Sequence, residues 1–187
     1  SYYENGNLQS KLSYKNDQLH GKSTWYYIDG NKEQEVYYQD NKIDGKQTRW
    51  HKNGSIESES YYVNGKLQGL AETYDQQGNK LFEEHYQNGL LHGTYTQYYI
   101  NGSMQVEGNY ELGLFTGRWI YYDQYGNVIG LGNFESGTGV QKGWWPNGKL
   151  KREIFYRNNL KDGQEKWYNE DGVLEKINFY ETGILVT

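Results

Sequence analysis

Apolar and polar residues alternate along this chain in runs of about seven residues, too short for stable helices, and each run stops at a cluster such as Asn-Gly or Asp-Gly. Runs of that length between turn signals predict antiparallel strands joined as hairpins. The runs also keep time. Gly6, Gly30, Gly54, Gly78, Gly102, Gly126, Gly148 and Gly172 recur every 24 residues, shortened once to 22. Four residues before each glycine stand Tyr2, Tyr26, Trp50, Tyr74, Tyr98, Tyr122, Trp144 and Tyr168; eight residues after it stand Tyr14, Tyr38, Tyr62, Tyr86, Tyr110, Phe134, Tyr156 and Tyr180. Every member of both columns is aromatic, and a fixed period of this size is the signature of a repeat array.

Two more columns punctuate the unit. Gly21, Gly45, Gly69, Gly93, Gly117, Gly139 and Gly163 form one; Asp17, Asn41, Gly65, Gly89, Gly113, Gly137, Asn159 and Gly183 form the other, and all eight of the latter tolerate a left-handed backbone. The three glycine phases hold 20 of the 24 glycines. Gly30, Gly54, Gly78 and Gly102 are accordingly read as structural turns. The two-residue deletion falls between Gly137 and Gly139, where a loop can shorten without disturbing a ladder. Eight segments after the first glycine and seven connecting ones give about fifteen strands. The predicted fold is all-β: an elongated open antiparallel sheet of eight ~24-residue hairpin repeats, a single repeat domain over residues 1–187.

The period of two assigns the faces. The aromatic at plus eight shares its side with plus two, where Leu8, Ile56, Met104, Val128, Leu150 and Leu174 stand, so that side is expected to be buried. A three-residue turn with a left-handed glycine is expected to bring the aromatic at minus four onto the same side.

Composition narrows the function more than it names it. Nineteen basic against 24 acidic groups, net charge -5, give no electrostatic footprint for nucleic acid. The absence of cysteine excludes disulfides, thiolate catalysis and cysteine-ligated metals. No apolar run reaches membrane-spanning length. Leu, Ile, Val and Phe make up only roughly a fifth of the residues, near the disordered range; 21 Tyr and six Trp supply the missing apolar area. No signal peptide is visible at the start of the sequence, which begins with Ser1 rather than Met, and whether residues precede it in a full-length protein stays open. The compartment stays open between cytoplasm and, for a mature exported chain, periplasm or cell envelope; the oligomeric state is open too.

Side chains with chemistry are arranged as columns. His20, His51, His85 and His92 are spread over distant copies or different phases and read as turn or surface residues, and no metal or cofactor is expected. Five residues after the first glycine come Glu35, Glu59, Glu83, Glu107 and Glu153, by parity on the face that carries Tyr37, Tyr61, His85, Phe155 and Phe179. Two readings stand. One is a solvated column matched by cross-strand partners such as Arg49; the other is an acidic strip, with Tyr37 and Tyr61, that receives a basic protein partner. A ladder of equivalents singles out no general acid, so catalysis is not expected.

The stretches Tyr61-Tyr-Val-Asn-Gly65-Lys-Leu-Gln-Gly69, Tyr86-Gln-Asn-Gly89-Leu-Leu-His-Gly93 and Tyr98-Tyr-Ile-Asn-Gly102 resemble the variant MORN repeat, and in particular the bacterial YwqK-type antitoxin family. The resemblance covers the whole chain. It implies a non-catalytic protein-binding scaffold, an antitoxin or immunity protein that covers a toxin. Trp25-Tyr-Tyr-Ile-Asp-Gly30 is similar to the hairpin of choline- or glucan-binding cell-wall repeats. That implies the alternative, a surface module binding carbohydrate or wall polymer through exposed Trp25, Trp50, Trp119, Trp144, Trp145 and Trp167.

Overall fold

The computed structural model describes residues 1–186, and among them there is no helix. The chain falls into two compact units, Ser1–Leu90 and Leu91–Thr187. The first contains β1 (Ser10–Lys11), β2 (Tyr14–Lys15), β3 (Gln18–Leu19), β4 (Gly21–Tyr26), β5 (Lys32–Gln39), β6 (Lys42–Trp50), β7 (Ile56–Val63), β8 (Lys66–Leu67), β9 (Gly69–Tyr74) and β10 (Lys80–Gln87). The second contains β11 (Leu90–Tyr98), β12 (Met104–Glu111), β13 (Leu114–Tyr122), β14 (Val128–Glu135), β15 (Thr138–Trp144), β16 (Leu150–Arg157), β17 (Leu160–Tyr168), β18 (Leu174–Glu181) and β19 (Ile184–Leu185). In each unit the long strands pair antiparallel in chain order, an open meander of hairpins. Strands β2 and β3 form a small ribbon of their own.

Two turn types alternate, and each follows from its residues. Around Gly30, the glycine N–H donates to the Tyr27 carbonyl at 2.9 Å while the Tyr27 N–H donates to Asn31 at 2.8 Å. This is the three-residue loop the spacing predicts, and all eight glycines of its column have φ between +81° and +92°. The second turn has two residues, both left-handed, as at Asp40-Asn41 (φ 48° and 66°) and Asn158-Asn159 (51° and 65°). That is the type I′ hairpin, whose twist matches the strands it joins. Its second residue also reaches the previous copy: Gly65 N–H donates to the Ile43 carbonyl and Gly113 N–H to that of Leu91, each at 2.7 Å.

The face assignment needs one correction. The three-residue loop is present, but one pair further in, each strand after it carries a β-bulge. Tyr26 pairs with Lys32, whereas its neighbour Trp25 pairs with Gln34, leaving Glu33 as the extra residue. The same step recurs between Trp50↔Ile56 and Arg49↔Ser58, and between Tyr122↔Val128 and Tyr121↔Gly130. One inserted residue inverts parity. The aromatic at minus four and the residue at plus two therefore share the glutamate face, opposite the aromatic at plus eight. Ile56 and Val128 are accordingly 38% and 51% exposed instead of buried.

The shortened copy is corrected as well. Its turn keeps both residues, Ser136-Gly137. What it lacks is the bulge that other copies carry at the second glycine: in β5–β6 the pairing jumps from Val36↔Gln47 to Tyr38↔Ile43, whereas β14–β15 pair without a break from Glu135↔Thr138 to Gly130↔Gly143. Gly139 consequently lacks the left-handed φ of its column mates Gly45 (119°) and Gly163 (100°).

The core lies on the plus-six and plus-eight face. Val36 and Ser23 are buried there in the first unit; Trp119, Phe134 and Ile154 are buried in the second. Rings of Phe115, Tyr110 and Tyr95 stand 4.7, 5.2 and 5.6 Å from Trp119, and Phe134 stands 5.6 Å from Tyr156. A Cβ on Gly108 would overlap the Trp119 ring, and one on Gly132 would overlap Phe134. The aromatic mass sits directly on bare backbone, which is how a single sheet encloses large rings.

Candidate functional site

Glutamates and lysines alternate on the other face. In the first unit Glu35 takes ion pairs from Lys32 at 3.1 Å and Lys22 at 3.4 Å, and Glu59 takes one from Lys46 at 2.6 Å. Lys80 bridges Glu83 and Glu72, the latter at 2.6 Å. In the second unit Glu153 lies between Lys142 at 3.1 Å and Lys166 at 3.9 Å, and Glu107 accepts the Tyr122 hydroxyl at 2.6 Å. The column thus has partners on its own and neighbouring strands, lysines throughout except for Tyr122 at Glu107. Arg49 is not among them, because the bulge puts it on the core face, where it holds Glu57 at 3.2 Å and Gln34 at 3.2 Å.

The electrostatics follow from those contacts. Burial alone would push the Glu35 carboxyl up; hydrogen bonds and charge from Lys32 and Lys22 outweigh it and hold it below the usual carboxylate range. Hydrogen bonds to Glu72 and Glu83 hold the Lys80 ammonium well above its ordinary value. Glu72, absent from the sequence reading, is the notable addition. It lies directly opposite both Glu59 and Glu83, so three carboxylates occupy adjacent strands and depend on Lys80 and Lys46 for compensation. The strip is ion-paired rather than bare acid. Beside it Tyr37 and Tyr61 are 40% and 49% exposed, with Phe155 and Phe179 exposed in the second unit.

A second column missed in the sequence stands at minus three. Tyr27 Oη donates to the Trp50 carbonyl at 2.8 Å, Tyr99 Oη to that of Tyr122 at 2.8 Å, and Trp145 Nε1 to that of Tyr168 at 2.9 Å. His51 Nε2 sits 3.0 Å from the Tyr74 carbonyl in the same role. Each links one hairpin tip to the next copy. The signal was available: Tyr, His and Trp share a terminal donor on a long planar stem. His20 lies 3.3 Å from Asp40, and His92 Nδ1 accepts the Leu112 N–H at 3.4 Å. Among the described residues no three His, Cys, Asp or Glu side chains converge as a metal site. Among the described residues no helix is long and apolar enough to cross a membrane. The six tryptophans are not freely exposed stacking surfaces: Trp119 is 3% exposed and the other five are half-buried.

Comparison with known proteins bears on the repeat and little else. No curated protein matches the chain at a significant level. Among solved structures, a chain from the crystal structure of the GtfA/B complex bound to UDP and GlcNAc is similar over 63% of this chain and 24% of that one, at 11% identity and a TM-score of 0.26. A likeness that slight carries nothing about function. The MORN repeat variant model matches residues 1–16, 19–40, 43–64, 67–88, 91–112, 138–158 and 161–182. The stretch it passes over, 113–137, holds Trp119, Gly130, Gly132 and Phe134. With the left-handed glycines, the paired hairpins and the aromatic columns in every copy, the chain belongs to the MORN repeat variant family.

Proposed function

We propose that this repeat scaffold is a non-catalytic protein-binding module that docks its partner on the ion-paired face, in the role of an antitoxin or immunity component covering a toxin's surface. The observation that carries the reading is the pair of exposed rings, Tyr37 and Tyr61, set among Glu35–Lys22, Glu35–Lys32 and Glu59–Lys46. Aromatic side chains ringed by polar pairs are the composition of protein interfaces, where a few such anchors hold most of the binding energy. Glu35, Glu59, Glu83, Glu107 and Glu153 contribute register and specificity rather than a net negative field, since their charges are already matched or hydrogen-bonded. Repetition supports a binding role over catalysis: equivalent residues in equivalent surroundings offer a surface, not a single differentiated acid or base.

The test is affinity capture of a partner from the native host, followed by titration with parent and variants. Tyr37→Ser combined with Tyr61→Ser is expected to weaken binding by about 30-fold or more, as loss of interface anchors does. Raising salt is expected to change affinity only modestly, because few uncompensated charges meet the partner. A double variant that binds like the parent overturns the assignment of this face.

A further inference from the structure

Four glycines fall outside the three periodic columns: Gly108, Gly130, Gly132 and Gly143. Gly108 and Gly132 are accounted for by the rings that lie on them. Gly130 is crowded too, since a Cβ there would meet the Lys142 carbonyl at 3.1 Å and Tyr121 at 3.3 Å, but its partner Gly143 is different. The two pair directly across β14 and β15, neither has a left-handed φ, and a Cβ on Gly143 would meet only the Ile129 carbonyl at an ordinary 3.4 Å. Neither backbone conformation nor a covering ring requires glycine at 143. Glycine inside a strand weakens it, and its recurrent use there is to let something approach the backbone closely.

The opposed pair forms the floor of a cleft of about 550 Å³ on the core face of the second unit. Tyr121, paired with Gly130, walls one side. On the other, Arg152 is paired with Gly143 and stacks 4.3 Å from the Trp167 ring. Trp145 stands at the hairpin end, its ring fixed by the Nε1 bond to Tyr168. The polar complement is sparse and specific. The Tyr121 phenol is buried against Tyr156, Tyr110 and Tyr95, which pushes it well above its ordinary range, so the polar groups left to the cleft are at its rim. Gln141 accepts the Tyr156 hydroxyl at its Oε1, 3.0 Å away. Lys151 rests over the Trp145 ring at 4.2 Å, and among the described residues no carboxylate is paired to it.

We propose that this cleft binds one or two sugar units of a saccharide. A pyranose ring has an apolar C–H face that packs on aromatic rings and bare backbone, and a rim of hydroxyls that needs a few fixed donors; the cleft supplies both in a volume typical of small-ligand sites. The rings and Arg152 are held by contacts within the protein, so binding orders little. The site lies in the second unit, on the face opposite that unit's Glu107 and Glu153, and does not rest on the protein-partner reading.

The decisive variant is Gly143→Leu, which fills the floor at a backbone position any residue adopts. Its thermal midpoint is expected to equal or exceed the parent's, because the strand loses a glycine. Intrinsic tryptophan fluorescence and saturation-transfer NMR would be recorded with maltotriose, cellotriose, N-acetylchitotriose and trigalacturonate. At least one is expected to bind the parent with Kd below about 10 mM, and Gly143→Leu to weaken it by at least about tenfold. Lys151→Met, which removes only the ammonium, is expected to weaken the same sugar by a few-fold, roughly one hydrogen bond. The proposal fails if none of the four binds, or if Gly143→Leu binds as the parent does. It also fails if Gly143→Leu instead abolishes capture of a protein partner while no sugar binds, since the cleft would then receive a side chain of that partner.

Discussion

At Gly102 the backbone φ is +81° and a Cβ would meet nothing within 4 Å, so any loss on substitution is conformational and not steric. Gly102→Val is expected to cost about 1–2 kcal/mol, and Gly102→Asn clearly less, because Asn tolerates the left-handed region. Equal losses in urea denaturation would contradict a left-handed turn. A second residue carries a different argument. Glu165 is 2% exposed and accepts hydrogen bonds from Arg152 Nε at 3.0 Å, Lys161 at 2.8 Å and Asn178 at 2.7 Å. Burial pushes its carboxyl up, yet those donors prevail and bring it down to about 2 from an ordinary 4.5. A folded-state pKa below the unfolded one means the unfolded chain binds the extra proton first. The carboxylate's contribution is therefore complete above pH 4.5, shrinks as pH falls, and is gone below about 2. Denaturation midpoints should fall over that window, and Glu165→Gln should flatten the fall. Glu165→Leu should cost about 3 kcal/mol at neutral pH, as breaking a buried ion pair does.

Between residues and the whole array, the strands of the second unit explain why some glycines are indispensable and others are not. Trp119 on β13 lies against Gly108 on β12, and Phe134 lies against Gly132 within β14. Gly108→Ala is expected to lose about 2 kcal/mol or more through overpacking, with a loss of near-ultraviolet ellipticity as the rings are displaced. Gly143→Ala, made on a strand of the same sheet, should be neutral or slightly stabilising. The Trp119 indole N–H is buried without a hydrogen-bond partner among the described residues, and the surrounding rings are the weak acceptors the cluster offers it. Bulges act at the same scale. The copy at Gly139 shows that the second bulge is dispensable to pairing. Deleting Gly45 and Lys46 should accordingly leave a folded sheet while displacing Tyr37, against whose Cβ the Gly45 position packs. Circular dichroism would check the first outcome and partner binding the second.

For the molecule as a whole, pairing between chain neighbours makes stability a sum over local contacts. Ending the chain after Asp171 removes β18 and β19 and with them Asn178 and Tyr180, two of the groups bonded to Glu165. The remainder should stay folded with a lower denaturation midpoint and a shallower loss in acid, because Glu165 loses donors that depress its pKa, measured by circular dichroism against pH. Complete unfolding would mean that contacts beyond neighbouring strands hold the array together.

The repeat period, both hairpin turns and the separation of glutamate and plus-eight aromatic columns onto opposite faces are legible in the sequence, because each is a local consequence of turn chemistry and strand parity. Asn and Gly at left-handed positions declare themselves residue by residue. The bulge at Glu33 and its equivalents does not: an inserted residue leaves no composition mark, yet it carries Tyr26, Trp50 and Ile56 to the other face. The neutral character of the glutamate column was hidden for a related reason. Lys22 and Lys46 stand on neighbouring strands and reach Glu35 and Glu59 only through pairing, while Lys32 and Lys80 are on the same strands as Glu35 and Glu83 and share their face only because the bulge between them inverts parity. The sequence alone determined where the chain turns. Which side chains meet across the strands, and so which glycines lie beneath rings and which floor a cleft, was decided by tertiary structure, because contact between strands depends on register, and register accumulates every bulge along the way.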